Sequence, residues 1–163
     1  MATVSQQLSP EEAVFLASLF PQYVRNNGTS FPVAGLAFDP IAIEAGFWVF
    51  RAYNYGSGSL TLDIEWYADT ATTGTVIFDA QIAAITPDAD TQDVETKALA
   101  AISSFTDTHL GTVGQRLHRA VITLVNLDAI ATNDIVWLRL ARNGGTMTGD
   151  AIVTLITLSY SDT

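Results

Sequence analysis

The chain has 163 residues, and its 17 acidic residues against seven Lys and Arg give a formal net charge of −10 at pH 7. This balance argues against a nucleic-acid partner, because phosphate binding rests on Lys and Arg. No cysteine is present, which excludes disulfides, thiolate chemistry and cysteine-based zinc sites. No apolar run reaches the ~18 residues of a membrane span, so no membrane partner is expected.

The composition predicts a single domain that belongs to an assembly. Apolar residues make up 48% of the chain and charged residues only 15%. Much of the polar remainder is Ser, Thr and Asn, which suits pleated surfaces that lie close to other protein. The first residues lack the basic and apolar regions of a signal peptide, so we expect synthesis in the cytoplasm.

The N-terminal region predicts an extended arm over residues 2–7 and one helix. Ser9 can cap a helix that begins at Pro10, and Glu12 completes a capping box. Apolar side chains follow at helical spacing until Pro21 ends the pattern: Ala13, Leu16, Ala17 and Phe20. We therefore predict an N-terminal unit of residues 1–30, with a helix over 10–20, ahead of a β-domain of residues 31–163.

Beyond residue 30 the periodicity alternates, and turn residues separate short segments. The predicted strands cover residues 47–55, 60–67, 74–82, 98–105, 117–124, 135–142 and 151–160. The segment 98–105 also fits a short helix, and its context favours a strand. Seven or eight short strands predict an all-β fold, a jelly-roll-like antiparallel β-sandwich with a short N-terminal arm and helix.

Three residue types of a hydrolytic triad lie in one short segment, at Ser104, Asp107 and His109. A working triad gathers such groups from separate elements and presents its serine on a strained turn, yet no G-x-S-x-G sequence occurs. His118 alternates with apolar residues, which predicts a core or interface histidine. We therefore predict no catalytic residues and a protein that is not an enzyme.

The loop 88–95 is acidic and raises the question of a calcium site. Its candidate ligands are Asp88, Asp90, Asp93 and Glu95. An EF-hand needs glycine at position 6 and glutamate at position 12, and Asp93 and Leu99 stand there. A solvated acidic loop is the favoured interpretation, and a calcium site of another kind stays open. No metal ligand and no cofactor are assigned.

Aromatic residues on or near the predicted strands allow two interpretations. They include Trp48, Trp66, Trp137, Tyr53, Tyr55 and Tyr67. Aromatic side chains at strand spacing bury much area, which favours a core or a contact between subunits. The other interpretation is a platform on which sugar rings stack.

The segment 134–160 predicts a hairpin whose turn contains Gly144 and Gly145. Its first strand points three residues to the core: Val136, Leu138 and Leu140. Trp137 and Arg139 then lie on the opposite face. The second strand is apolar on both faces, which predicts a covering layer. We expect a neighbouring subunit to supply that layer.

The pattern from Leu127 and Asp128 into the strand 133–142 resembles the closing strands of jelly-roll structural proteins in tailed bacteriophage virions. The segment 149–151 and a last strand ending at Tyr160 extend the likeness. Such domains occur in head decoration (cement) proteins and in head or tail fibres. The resemblance covers the C-terminal third well and the strands from 66 to 82 loosely. It implies a non-enzymatic virion component, commonly a homotrimer.

On this resemblance we predict a capsid decoration (cement) protein, made in the host cytoplasm and located on the capsid surface of the virion. It would be a homotrimer that binds the major capsid protein across capsomers. The expected interface residues are Leu16, Phe20, Trp137 and Arg139. The alternative is a fibre or receptor-binding jelly roll that recognises host surface glycans through aromatic residues such as Trp48, Tyr53 or Tyr67.

Overall fold

The computed structural model describes residues 2–162, which contain ten β-strands and one short 3-10 turn, Pro10–Glu12. The strands are β1 (Thr3–Leu8), β2 (Gln22–Asn27), β3 (Pro32–Phe38), β4 (Ala45–Arg51), β5 (Thr61–Ala68), β6 (Thr75–Ile85), β7 (Ser103–Thr108), β8 (His118–Thr123), β9 (Ile135–Arg142) and β10 (Ala151–Ser161). In the described part of the chain, no helix has the length and apolarity needed to cross a membrane.

The strands pair antiparallel in two sheets. Sheet A has the order β2-β3-β10-β5-β8, and β1 pairs with the C-terminal half of β10. Sheet B has the order β4-β9-β6-β7. The predicted all-β class is therefore confirmed as a two-sheet antiparallel sandwich, whereas the predicted N-terminal arm and helix are not.

Strict alternation along the strands turns one face of each sheet towards the core. The largest buried aromatic residues there are Trp48, Trp66, Phe38 and Phe78. Trp48 Nε1–H donates to the carbonyl of Ser9 at 2.8 Å, and Trp66 Nε1–H donates to the carboxylate of Asp107 at 2.9 Å. Both indoles therefore bury their rings without leaving a donor unpaired.

The predicted helix over residues 10–20 is wrong, because only Pro10–Glu12 forms a turn. Val14 instead pairs with Phe47 at the edge of β4. The carbonyl of Leu19 accepts a backbone N–H from the same strand at 3.0 Å. A helix would leave this sheet edge unpaired, and that cost outweighs the helical propensity of so short a segment.

The predicted arm is strand β1, which pairs with β10 from Thr3 to Leu8 and buries the Leu8 side chain. Strand β2 pairs with β3 in the same way. Both strands precede residue 30 and both pair with strands that follow it. The division of the chain into units 1–30 and 31–163 remains a prediction.

Strands β9 and β10 do not form the predicted hairpin, because β9 belongs to sheet B and β10 to sheet A. The loop 143–150 crosses between the sheets, and the buried Arg142 guanidinium holds it. This side chain donates to the carbonyls of Phe38 at 3.1 Å, Gly149 at 2.7 Å and Met147 at 2.6 Å. In a tight turn these carbonyls would accept hydrogen bonds from nearby backbone N–H groups. Here the planar Arg142 guanidinium supplies the donors instead.

The outer side of β10 is covered by the chain itself at Ile152. This side chain packs with Ala37 and Tyr67 in a small apolar cluster outside the main core. A register shift between Val153 and Leu155 then exchanges the faces of the strand, so the rest of β10 also reaches the core. The prediction that a neighbouring subunit covers this strand is wrong at Ile152.

Candidate functional site

A groove of about 640 Å³ lies on the outer face of sheet A, and we call it the sheet A groove. Ten residues line it: Asn26, Asn27, Gly28, Phe31, Val33, Tyr67, Asp69, Gln115, Leu117 and Thr154. They come from strands β2, β3, β5 and β10, from the segments 28–31 and 110–117, and from Asp69, which directly follows β5. Alternation along β5 places Tyr67 on this face, because Trp66 and Ala68 on either side of it point into the core.

The apolar part of the groove combines a fixed ring with free side chains. Tyr67 packs against Ile152, and its hydroxyl accepts a hydrogen bond from Asn26 Nδ2 at 2.9 Å. By contrast, Phe31 is 69% exposed and Leu117 is also largely exposed. The groove therefore presents apolar surface to solvent that the fold itself does not use.

The polar part of the groove is neutral or acidic. Gln115 Nε2 donates to the carbonyl of Asp69 at 2.7 Å, which ties the segment 110–117 to the end of β5. Thr154 Oγ1 donates to the carbonyl of Glu65 at 3.2 Å. Asp69 is the one charged residue in the lining. Amides, a hydroxyl and a carboxylate can together donate to and accept from a polyhydroxylated ligand.

Strand β5 continues this face beyond the groove with Asp63 and Glu65. Arg119 Nε donates to Asp63 Oδ1 at 2.7 Å and forms a salt bridge with the same carboxylate. Burial and then the charge of Asp63 raise the pKa of the Glu65 carboxyl. Among the described residues, Glu65 Oε2 is buried without a hydrogen-bond partner. The face is therefore a poor environment for an added anion.

Of the aromatic residues named from the sequence, only Tyr67 lines the groove. Trp48, Trp66 and Tyr55 are buried in the core. Tyr53 is 57% exposed but follows β4 and lies outside the lining. Phe31 was missed by sequence reasoning; the Asn26-Asn27-Gly28 turn signal shortly before it was the available clue.

No hydrogen bond joins any two of the three candidate triad residues. Ser104 Oγ donates to Asp79, and Asp107 accepts from Trp66. The two ring nitrogens of His109 bond to backbone groups of the segment that follows it, at 3.0 and 2.9 Å. Each group bonds to a partner outside the three, so Ser104, Asp107 and His109 do not form a serine–histidine–aspartate relay.

The acidic loop 88–95 uses carboxylates to hold its own backbone. Asp90 accepts from Thr86 N–H at 2.8 Å, and Asp93 accepts from Glu95 N–H at 2.9 Å. Over residues 2–162, no group of three or more His, Cys, Asp or Glu side chains could hold a metal ion.

The four expected interface residues occupy two surfaces. Leu16 is 65% exposed and Phe20 is partly exposed, both in the segment that borders β4. Trp137 and Arg139 lie on the outer face of sheet B, where Arg139 Nη1 donates to Gln81 Oε1 at 3.1 Å. Burial lowers the pKa of the Arg139 guanidinium. Their role in a contact remains a prediction.

No protein-family model and no curated protein sequence matches the chain. Its fold is an antiparallel sandwich of the kind found in solved carbohydrate-binding modules. One similar structure is the CBM36-1 domain of a multidomain xylanase from the hindgut metagenome of Trinervitermes trinervoides; it is 10% identical, with a TM-score of 0.55 over 98% of this chain and 100% of that chain. Another is the carbohydrate-binding module CBM36 in complex with calcium and xylotriose, which is 18% identical with a TM-score of 0.50 over 94% and 98%.

The predictions drawn from the bacteriophage resemblance are wrong, because these similar structures are carbohydrate-binding modules and no family model supports a virion protein. The corrected predictions are the capsid decoration function, the capsid-surface location, the major capsid protein as partner and the homotrimer. The resemblance rested on alternating residues in the strands 133–142 and 151–160. That alternation is common to sandwich strands in general and is specific to no function.

Proposed function

We propose that this chain is a non-catalytic carbohydrate-binding module that holds a neutral glycan in the sheet A groove. The observation that carries the proposal is the lining, in which the fixed ring of Tyr67 and the exposed ring of Phe31 lie among amide side chains. Sugar rings offer apolar C–H faces to aromatic rings and hydroxyls to amides and carboxylates. The groove supplies both kinds of partner.

Charge supports a neutral glycan over an acidic one. Asp69 lines the groove, and Asp63 and Glu65 continue the same sheet face. No Lys or Arg is among the lining residues. On a chain of net charge −10, uronate or sulfate groups would meet repulsion from these carboxylates and would find no Lys or Arg in the lining to pair with.

Binding in this groove is proposed to need no metal. One similar structure contains calcium with its xylotriose, but the described residues offer no group of metal-ligating side chains. We therefore expect treatment with EDTA to leave glycan affinity unchanged in isothermal titration calorimetry. A loss of binding that added calcium restores would contradict direct recognition.

The absence of a nucleophile–base contact among Ser104, Asp107 and His109 supports a binding role without turnover. We expect no release of reducing sugar from any glycan that binds. Measurable hydrolysis that is lost in His109→Ala would contradict this part of the proposal.

The decisive experiment compares Phe31→Ala with wild type on a panel of neutral oligosaccharides, with xylotriose as the first probe. Phe31 is largely exposed, so its removal spares the fold, and we expect affinity to fall about tenfold, which corresponds to ~1.4 kcal/mol. Tyr53→Ala is the matched control, since Tyr53 is also a largely exposed aromatic residue and lies outside the groove. Equal effects of the two substitutions, or no binding to any glycan, would refute the groove as the site.

A further inference from the structure

A buried pair of histidines lies beneath one wall of the sheet A groove. His109 and His118 are almost fully buried, with ring centroids 4.5 Å apart. His118 also stacks on Trp66, at 4.6 Å between centroids. Trp66 precedes the groove residue Tyr67 in β5, so the histidines lie on the core side of the strand whose outer side forms the groove.

His109 holds residues 110–117, which we call the wall loop, through both of its ring nitrogens. Gly111 N–H donates to Nδ1 at 3.0 Å, so Nδ1 carries no proton. Nε2–H is then the donor to the carbonyl of Gly114 at 2.9 Å. The next residue, Gln115, lines the groove and bonds to the carbonyl of Asp69. The neutral imidazole therefore fixes the backbone that presents this wall.

A second proton on His109 has only Nδ1 to occupy, and the Gly111 N–H already points there. Protonation thus replaces a hydrogen bond by two facing donors. A proton on the buried Nε2 of His118 would likewise have no acceptor among the described residues. Proton uptake at His109 therefore disfavours the present position of the wall loop, because the Gly111 N–H would then face a second donor.

The charged groups around the pair act in opposite directions. Burial, then the charge of His109, lowers the pKa of His118, and Arg116 of the wall loop lowers it further. The Asp107 carboxylate of β7 opposes this, but one of its oxygens is bound to Trp66 Nε1–H. On β5 the neighbouring residue Trp66 is uncharged, and Asp69 contributes a backbone carbonyl to the loop.

We propose that His109 is a positioning residue for the groove, and that protonation of the His109–His118 pair releases the wall loop and weakens glycan binding in acid. This proposal rests on the proposed function of the groove. If release of the loop is linked to the uptake of one proton, the affinity for glycan falls by up to about tenfold for each pH unit below the pH at which that proton is taken up. Acid would therefore discharge a glycan that is held at neutral pH.

The first test needs no glycan. In the full chain, amide hydrogen exchange of Gly111 and Arg116, whose N–H groups donate to His109 Nδ1 and to the carbonyl of Val113, is measured at pH 7.5 and pH 5.0 and corrected for the intrinsic exchange rate. We expect their protection to fall at pH 5.0, while that of Leu138 in β9 is retained. Unchanged protection of Gly111 would overturn the proposal whatever the groove binds.

The second test measures the affinity for xylotriose, or for the panel oligosaccharide that binds most tightly, across the same pH range. His109→Gln can keep a donor to Gly114 but cannot titrate, and we expect its affinity to vary less than threefold with pH where wild type varies about tenfold or more. Glu65→Gln tests whether titration of a carboxylate on the sheet face causes the pH dependence. We expect this control variant to keep the wild-type dependence of affinity on pH. A wild-type profile in His109→Gln would overturn the proposal. Absence of binding at every pH would refute the glycan-binding function. The hydrogen-exchange measurement would then decide by itself whether acid releases the wall loop.

Discussion

Arg142 is the residue on which the crossing from sheet B to sheet A depends. Its guanidinium is completely buried and donates to backbone carbonyls of β3 and of the crossing loop. Burial lowers the pKa of the Arg142 guanidinium, and the negative charges of Asp150 and Asp39 oppose that shift. Lysine has one donor centre and could not reach these separate carbonyls at once.

We expect Arg142→Met to lower the free energy of unfolding by about 3–5 kcal/mol, because it leaves buried carbonyls without donors. The matched control is Arg119→Met. The Arg119 side chain is 64% exposed and pairs with Asp63 at the surface, so its loss should cost no more than about 1 kcal/mol. Urea unfolding followed by tryptophan fluorescence measures both variants. Similar costs for the two would show that the buried fork of donors is dispensable.

At the scale of the element, two adjacent glycines of the crossing loop 143–150 differ in their surroundings. Gly144 and Gly145 both have positive φ, at 91° and 108°. A Cβ on Gly144 would meet open space, whereas a Cβ on Gly145 would overlap the carbonyl oxygen of Thr75. Substitution of Gly144 therefore tests the effect of backbone strain alone, and substitution of Gly145 tests strain together with a steric overlap.

Gly144→Ala should cost about 1–2 kcal/mol, the strain of a side chain in this backbone region. Gly145→Ala should cost at least about 2 kcal/mol more, because β6 must also move away. Thermal and urea unfolding of the two variants provide the comparison. Equal destabilisation would mean that the loop shifts freely from β6.

The segment 13–20 is an element without regular structure that covers the edge of β4 and exposes Leu16 and Phe20. It contains no charged residue. Leu16 and Phe20 stay predicted contact residues, since contiguous exposed apolar side chains often mark a protein contact.

Substitution of both Leu16 and Phe20 by Ser should change the free energy of unfolding by less than about 0.5 kcal/mol per site, because neither side chain belongs to the core. The same double variant should bind less of an apolar dye at its surface. A large loss of stability would indicate that the segment is part of the core and not a free surface.

At the scale of the whole molecule, buried ionisable groups make stability depend on pH. Burial lowers the pKa of His118 from its ordinary value of 6.5, so the folded state binds the proton less readily than the unfolded chain. Its contribution is fully present above that value and is lost as pH falls through the folded pKa. Burial raises the pKa of the Glu65 and Asp150 carboxyls, which acts in the opposite sense.

We expect His118→Phe, which keeps a ring against Trp66, to lose less stability than wild type between pH 7.5 and pH 5.0. Urea unfolding at the two pH values measures the difference, and the carboxylates titrate alike in both proteins. Equal losses would mean that His118 takes up its proton without opening the fold.

Alternation along the chain was sufficient to predict the β class and the buried faces of several strands. Leu62, Ile64 and Trp66 of β5 and Val136 and Leu138 of β9 point inward as their spacing indicates. Such patterns arise locally, because successive side chains on a strand face opposite ways whatever lies beyond. Of the groove, only Tyr67 was named from this information.

The tertiary structure decided what local spacing does not encode. The sequence determined that residues 134–160 form two apolar strands, but long-range pairing assigned them to different sheets and set Arg142 between them. Long-range pairing also placed residues 13–20 along the β4 edge in place of the predicted helix over 10–20. The free-energy cost of an unpaired sheet edge exceeds the stabilisation that so short a helix provides. The groove arises in the same way, since its residues meet only when β2, β5, β10 and the wall loop are brought together. Periodicity states which face of a strand is buried, and only packing states which strands, and therefore which side chains, are neighbours.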